Sequence, residues 1–309
     1  MTQNRRQELY DLLGDLPPRD VPMNVKTVRI EEKETYTIEY LILNPSAYSP
    51  ENPDGEPIPA YFIRPKGEGP YPAVLFSHSH GGLYQLGKDE LFHPAPYMYP
   101  VPYAEALTKL GCAVLAIDHW NFGERSGRIE QDTFKDMLWK GQVLWGKMVW
   151  DSLKALDYLA GRKDVDARRI GALGMSMGAT MSWWVSALDE RISFCADICC
   201  FTEFEALKED YGLSRHGIYY FVPGLLRHFT AGQINSLIAP RKRLATVGLY
   251  DGLNPIPGVD RMEKEVRECY NALHAPREAF NVRRYPCGHR ETAEMRQDIL
   301  DFVKSAIEK

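Results

Sequence analysis

Long hydrophobic runs are missing from this sequence. No stretch approaches the roughly 18 consecutive apolar residues of a membrane span. The long uncharged segment of residues 70–87 is broken by histidine, serine, glycine and proline. The amino terminus, MTQNRRQELYDLLGDLPPRD, lacks the apolar stretch and small-residue cleavage site of a secretory signal. Cysteine is scarce, six in 309 residues, too few for a disulfide scaffold, and no C-x-x-C spacing suggests a zinc or redox site. Buried free thiols in a reducing cytosol are therefore expected, and with them a cytoplasmic location. Charge of one sign does not gather either. The 37 basic and 42 acidic residues give a net charge of −5 without any block of like charge. Nucleic acid and membrane are thus not expected partners.

What is present is ordinary globular material, 44% hydrophobic and 26% charged, enough for a sizeable core. At about 150 residues per domain the length allows two domains or one large α/β domain. Residues 1–20 read as a short helix stopped by Pro17-Pro18. From Val25 to Leu43, β-branched and aromatic residues alternate with charges, the period of antiparallel strands with one solvated face. A loop rich in Pro, Asn and Gly spans 44–58, followed by a short strand, Ile58 to Ile63.

After Pro72 the pattern changes. PAVLFSH, CAVLAID, RIGALG, SFCADIC and LATVGLY are short apolar runs bounded by turn residues, as in parallel strands buried on both faces. Helical spacing fills the gaps, through Trp145, Val149 and Leu153, then Val266 and Tyr270, and last over Glu291 to Ile307. This βαβ alternation predicts an α/β fold with a mostly parallel sheet. Two stretches interrupt it, the aromatic- and proline-rich 84–103 and the insertion 201–240.

The strongest motif is Gly174-Met175-Ser176-Met177-Gly178, directly after RIGALG and before the helical run ATMSWWVSAL. A strand turning sharply into a helix projects the middle side chain above the sheet, and glycine is needed on both sides because a Cβ would strike neighbouring backbone. Ser176 is the candidate nucleophile. The base should come last in the chain, which points to His289 in Pro286-Cys287-Gly288-His289. The acid should follow a strand between them, and Asp251 does, ahead of Asp197 and Asp118 as competitors. Backbone N–H groups of Met177 and His80 are the candidate oxyanion donors, with Gly81 and Gly82 giving the His80 turn room to bend. A rival reading makes His78 and His80 metal ligands with Asp118 and His119, but such a site would want an Asp-His pair where Leu83-Tyr84 stand.

With these landmarks in order, the chain resembles the α/β-hydrolase superfamily, in its dienelactone-hydrolase-like and acetyl-xylan-esterase-like branch. The segments that carry the likeness are PAVLFSHSHGG, AIDHWNFGERSG, DVDARRIGALGMSMGA, Ala239-Pro240-Arg241, LYDGLNP and CGHRETAEM, from about Ile58 to the end. The resemblance implies a central, mostly parallel eight-stranded sheet, a serine–histidine–acid triad and no cofactor. It departs from dienelactone hydrolases proper in having Ser176 where they have cysteine.

The expectation is one domain over 1–309, with antiparallel N-terminal strands and a lid-like insertion at 201–240. The expected activity is that of a serine hydrolase cleaving a small carboxylic ester, an esterase or deacetylase, with a small-molecule ester as partner and a homo-oligomer compatible. Peptide or carbon–carbon bonds, and a non-catalytic binding role on the same fold, are the alternatives. Tyr84, Phe92, Tyr97, Phe201, Tyr219 and Tyr220 are candidates to line the substrate pocket.

Overall fold

The computed structural model describes residues 2–45, 56–210 and 212–308. The loop expected at 44–58 lies mostly outside them. The strands are β1 (Met23–Glu32), β2 (Tyr36–Pro45), β3 (Ile58–Pro65), β4 (Tyr71–Ser77), β5 (Ala113–Ile117), β6 (Val165–Met175), β7 (Ile192–Ile198), β8 (Lys242–Gly248) and β9 (Phe280–Tyr285). They form one nine-stranded sheet in the order β1-β2-β3-β5-β4-β6-β7-β8-β9. β1, β2 and β3 pair antiparallel, and β3 also runs antiparallel to β5. From β5 across to β9 all pairing is parallel. The sheet has one strand more than the implied eight, because the alternating segment 25–43 folds back on itself and adds β1 as an exposed edge.

The helices are α1 (Thr2–Asp11), α2 (Tyr103–Lys109), α3 (Glu130–Trp139), α4 (Leu144–Gly161), α5 (Met177–Leu188), α6 (Phe204–Glu209), α7 (Ala231–Ser236), α8 (Ile256–Ala272) and α9 (Ala293–Ile307). They divide between two cores. Ala73, Leu75, Ala113 and Leu115 point to the face covered by α4, α5 and α8. Val74, Phe76, Val114 and Ala116 point to the face covered by α2 and α9. Successive strand residues must face opposite sides, so a strand buried on both needs an unbroken apolar run. Trp145, Trp150, Trp183 and Trp184 are all fully buried around α4 and α5, and truncating a side chain of this kind costs about 3–5 kcal/mol. The helix expected over 1–20 ends early, at Asp11. Gly14 breaks the chain direction with φ +81°, and a Cβ there would lie 2.8 Å from the Gly141 carbonyl oxygen. The insertion 201–240 folds as α6, three short 3₁₀ turns and α7.

Every β-to-α turn from the parallel strands opens on the same edge of the sheet. That edge collects the ends of β4, β6 and β8 and the loop after β9.

Candidate active site

β6 ends at Met175 and α5 begins at Met177, leaving Ser176 alone in the turn with φ +56° and ψ −116°. A serine in this left-handed region is strained, at a cost of order 1–3 kcal/mol, and needs surroundings that hold it there. They do. The Ser176 N–H donates to the Ile198 carbonyl at 2.9 Å. A Cβ on Gly174 would come within 2.5 Å of the Ser77 carbonyl oxygen, and one on Gly178 would overlap the same atom. Both glycines therefore let α5 and β6 close onto β4.

The loops after β8 and β9 are stitched together by the Leu249 N–H on the Tyr285 carbonyl at 2.8 Å and the Tyr250 N–H on the Cys287 carbonyl at 2.9 Å. This brings His289 between Asp251 and Ser176. His289 Nδ1 lies 2.8 Å from Asp251 Oδ2, and Nε2 lies 2.9 Å from Ser176 Oγ. Burial pushes the Asp251 carboxyl up. Its bonds to His289 and to the Asn254 amide and Leu253 N–H outweigh that and hold it below the ordinary carboxylate range. The glycine that permits this approach is Gly248, whose Cβ would sit 2.5 Å from the Gly288 carbonyl oxygen. Gly288, directly before His289, has ordinary room.

The turn after β4 carries His80, the other expected oxyanion donor besides Met177. The Ser79 N–H is taken by Glu90 Oε1 at 2.9 Å, and Glu90 Oε2 bonds the Ser79 hydroxyl, which also meets Tyr97 Oη at 2.5 Å. Glu90 is buried, and burial pushes its carboxyl up to about 7. Gly81 (φ +49°) and Gly82 (φ +75°) then bend the chain, and Tyr97 packs so closely on Gly81 that a Cβ would overlap its ring. The N–H groups of His80 and Met177 donate to no other described group. The His80 ring accepts the Gly82 N–H on Nδ1 at 3.0 Å, so its proton sits on Nε2, facing the buried Glu130 carboxylate at 3.3 Å.

The aromatic candidates separate into three groups. Tyr84 and Tyr219 flank His80, with ring centroids 4.9 and 5.3 Å from it, and Tyr97 stands 6.5 Å from the His289 ring. Tyr220 stacks on His216 and meets Tyr219 edge to face. Phe92 and Phe201 depart from expectation. Phe92 packs against Tyr61 of β3. Phe201 is fully buried beside Phe280 and Arg243, too deep to line a pocket.

The competing acids are committed elsewhere. Asp197 forms a buried ion pair with Arg243, and Asp118 is held by Lys88 Nζ at 2.7 Å and by the Lys88 and Glu124 N–H groups. Both nitrogens of His78 are also engaged, Nδ1 with the Ser79 carbonyl and Nε2 with the His119 N–H. The His78-x-His80 metal reading therefore loses His78 and Asp118, both already engaged, as free ligands. Sequence reasoning missed Glu90, Asn254 and Glu291. Glu291 accepts from Tyr103 Oη at 2.6 Å and the Tyr99 N–H at 3.0 Å, and pairs with Arg296 at 2.7 Å, pinning the 84–103 stretch to the His289 loop. For the two glutamates the only available signal was an acidic residue near a motif, which ordinary surface charge also provides.

A nine-stranded, mostly parallel sheet carrying a strained serine turn is the architecture of an α/β hydrolase, and the chain belongs to that superfamily. Over 305 residues it is 48% identical to "Putative hydrolase YtaP" of Bacillus subtilis (strain 168), covering 98% of this chain and 99% of that one. Among solved structures it is similar to a glucuronoyl esterase from Solibacter usitatus, with TM-score 0.70 and 17% identity over 99% of this chain and 93% of that one. It is also similar to acetyl xylan esterase 1 from Thermoanaerobacterium sp. JW/SL YS485, with TM-score 0.62 and 17% identity over 99% and 94%. At these identities the structural likeness is one of fold. No protein-family model matches the chain.

Proposed function

We propose that this protein is a serine hydrolase that cleaves a small carboxylic ester through an acyl-enzyme intermediate. The observation that carries the reading is the continuous hydrogen-bonded line from Asp251 through His289 to Ser176, ending on a strained turn. Ser176 Oγ attacks the ester carbonyl while His289 Nε2 takes its proton. Asp251 keeps the other imidazole proton on Nδ1 and stabilises the imidazolium. The tetrahedral oxyanion is held by the N–H groups of Met177 and His80, each donor worth about 2.7–4 kcal/mol at the transition state. His289 then protonates the departing alcohol, and water enters by the reverse route to release the acid.

Tyr84 and Tyr219 on either side of His80 and Tyr97 beside His289 select the substrate, with Tyr220 behind Tyr219 and the 201–240 insertion as lid. Flat aromatic faces suit a sugar ring or a short acyl chain. The names of the solved neighbours, acetyl xylan and glucuronoyl esterases, support an ester borne on a saccharide. The chain acts as one body over 1–309, and its cysteines, all free, suit the cytoplasm. No helix among the described residues is long and apolar enough to cross a membrane. Ser176→Ala should lower kcat on p-nitrophenyl acetate by on the order of 10⁴–10⁶ with the fold intact. Wild-type turnover in that variant overturns the assignment.

A further inference from the structure

Cys199 follows β7 in a left-handed conformation, φ +55°, directly behind the line from Asp251 to His289. Its N–H donates to the Thr246 carbonyl at 2.8 Å, and its carbonyl accepts from Asn254, the residue that also holds Asp251. The thiol is buried, and ligand atoms of Cys199, Asp251 and His289 all lie within 4.8 Å of one another. A second thiol adjoins them. Cys199 Sγ and Cys287 Sγ approach the same Arg290 carbonyl oxygen, at 3.5 and 3.8 Å, and Cys287 is only half-buried. Two sulfurs, an imidazole nitrogen and a carboxylate are the donor set of a tetrahedral zinc site. Bonds of about 2.0–2.3 Å put such ligands roughly 3.3–3.8 Å apart, so about an ångström of contraction draws Cys199, Asp251 and His289 together, and the half-buried Cys287, outside that cluster, must swing its side chain in to close the shell.

We propose that Cys199, Asp251 and His289, with Cys287 as fourth ligand, form an inhibitory site for a soft divalent cation, Zn²⁺ or Cd²⁺. The two thiols give up one proton each, and the imidazole proton moves from Nδ1 to Nε2 as Nδ1 takes the metal. Two thiolates and one carboxylate against a dication leave a net charge of −1, spread over a short metal–ligand core rather than on an isolated buried ion. Nε2–H now points at Ser176 Oγ and has no lone pair to accept its proton. The base is lost without any blockage of the substrate pocket. This consequence rests on the serine-hydrolase reading, whereas the binding does not.

The test uses Cd²⁺ and Zn²⁺ on the reduced full-length protein. Cd²⁺ should give a near-ultraviolet thiolate charge-transfer band saturating at one equivalent, in wild type and in Ser176→Ala alike. Zn²⁺ should suppress p-nitrophenyl acetate hydrolysis and fluorophosphonate labelling of Ser176 by tenfold or more, reversed by EDTA. Removing an outer-shell partner of a metal site typically costs about 10–100-fold in affinity, so Cys199→Ala should shift the inhibiting concentration upward by at least that. Cys199→Ser serves if the alanine variant is unstable, and Cys287→Ala should shift it less. Absence of the band, or equal inhibition of wild type and both Cys199 variants, overturns the site. A band in a protein that never hydrolyses esters overturns the serine-hydrolase reading alone.

Discussion

Glu90 gives a prediction whose size follows from the structure. Its carboxyl is buried behind the turn after β4 and pushed up to about 7 from an ordinary value of 4.5, chiefly by burial and also by Glu291, against the opposing bonds from Ser79. Between those two pH values the folded protein keeps a proton on Glu90 that the unfolded chain has released. The folded state binds more protons there, so stability falls as pH rises through the window. The whole effect is about 3 kcal/mol, absent below pH 4.5 and complete above pH 7. Glu90→Gln mimics the protonated acid. Its amide oxygen can accept the Ser79 N–H, and its NH₂ can donate to the Ser79 hydroxyl, which then turns to Tyr97. Urea unfolding of both proteins from pH 4.5 to 8 should show the variant gaining on wild type by up to about 3 kcal/mol across that range. Titrating groups that do not interact with Glu90 cancel in the difference. Parallel curves would falsify the account of Glu90 as a carboxyl kept neutral by its site.

Three further outcomes are expected. Asp251→Asn should fold normally yet lose on the order of 10⁴ in kcat, because the amide stabilises the wrong imidazole tautomer; a loss under tenfold would remove Asp251 from the mechanism. Gly178→Ala gains about 1 kcal/mol of helix propensity but drives a methyl into the Ser77 backbone, where overpacking costs about 3 kcal/mol or more. It should unfold at lower urea and lose activity beyond its loss of stability, and a stabilised, active variant would contradict the packing argument. Phe201→Ala should cost about 3–5 kcal/mol with KM unchanged in the folded fraction, whereas a raised KM on p-nitrophenyl acetate would return Phe201 to the pocket wall.

Much of this protein was legible before its structure. Local rules sufficed wherever one element carried the whole signal. Apolar runs on both strand faces gave the parallel sheet, and glycines two residues either side of Ser176 gave the turn, because steric exclusion there depends on a few adjacent residues. Chain order together with position after a strand singled out His289 and Asp251, and hydrogen bonds at 2.8 and 2.9 Å run from Asp251 to His289 and from His289 to Ser176. Aromatic character was less informative. Phe92 and Phe201 read like Tyr84 and Tyr97, but an aromatic side chain fits a core as well as a pocket, and only packing separates the two.

The sequence by itself determined the α/β sheet, the Ser176 turn and the order in which Ser176, Asp251 and His289 follow one another, since each rests on short-range periodicity or spacing. Tertiary structure alone decided which buried carboxylates serve which partners. Glu90 grips Ser79 from 11 positions away, and Glu291 bonds Tyr103 across 188. It also decided what the few cysteines mean. Sparse and without metal-binding spacing, they read as inert thiols, yet the crossing of β7 with the loops after β8 and β9 sets Cys199 against Asp251 and His289. Side-chain contacts between distant segments leave no periodic trace in the chain, because the energy that selects them exists only once the sheet has brought its loops to a common edge.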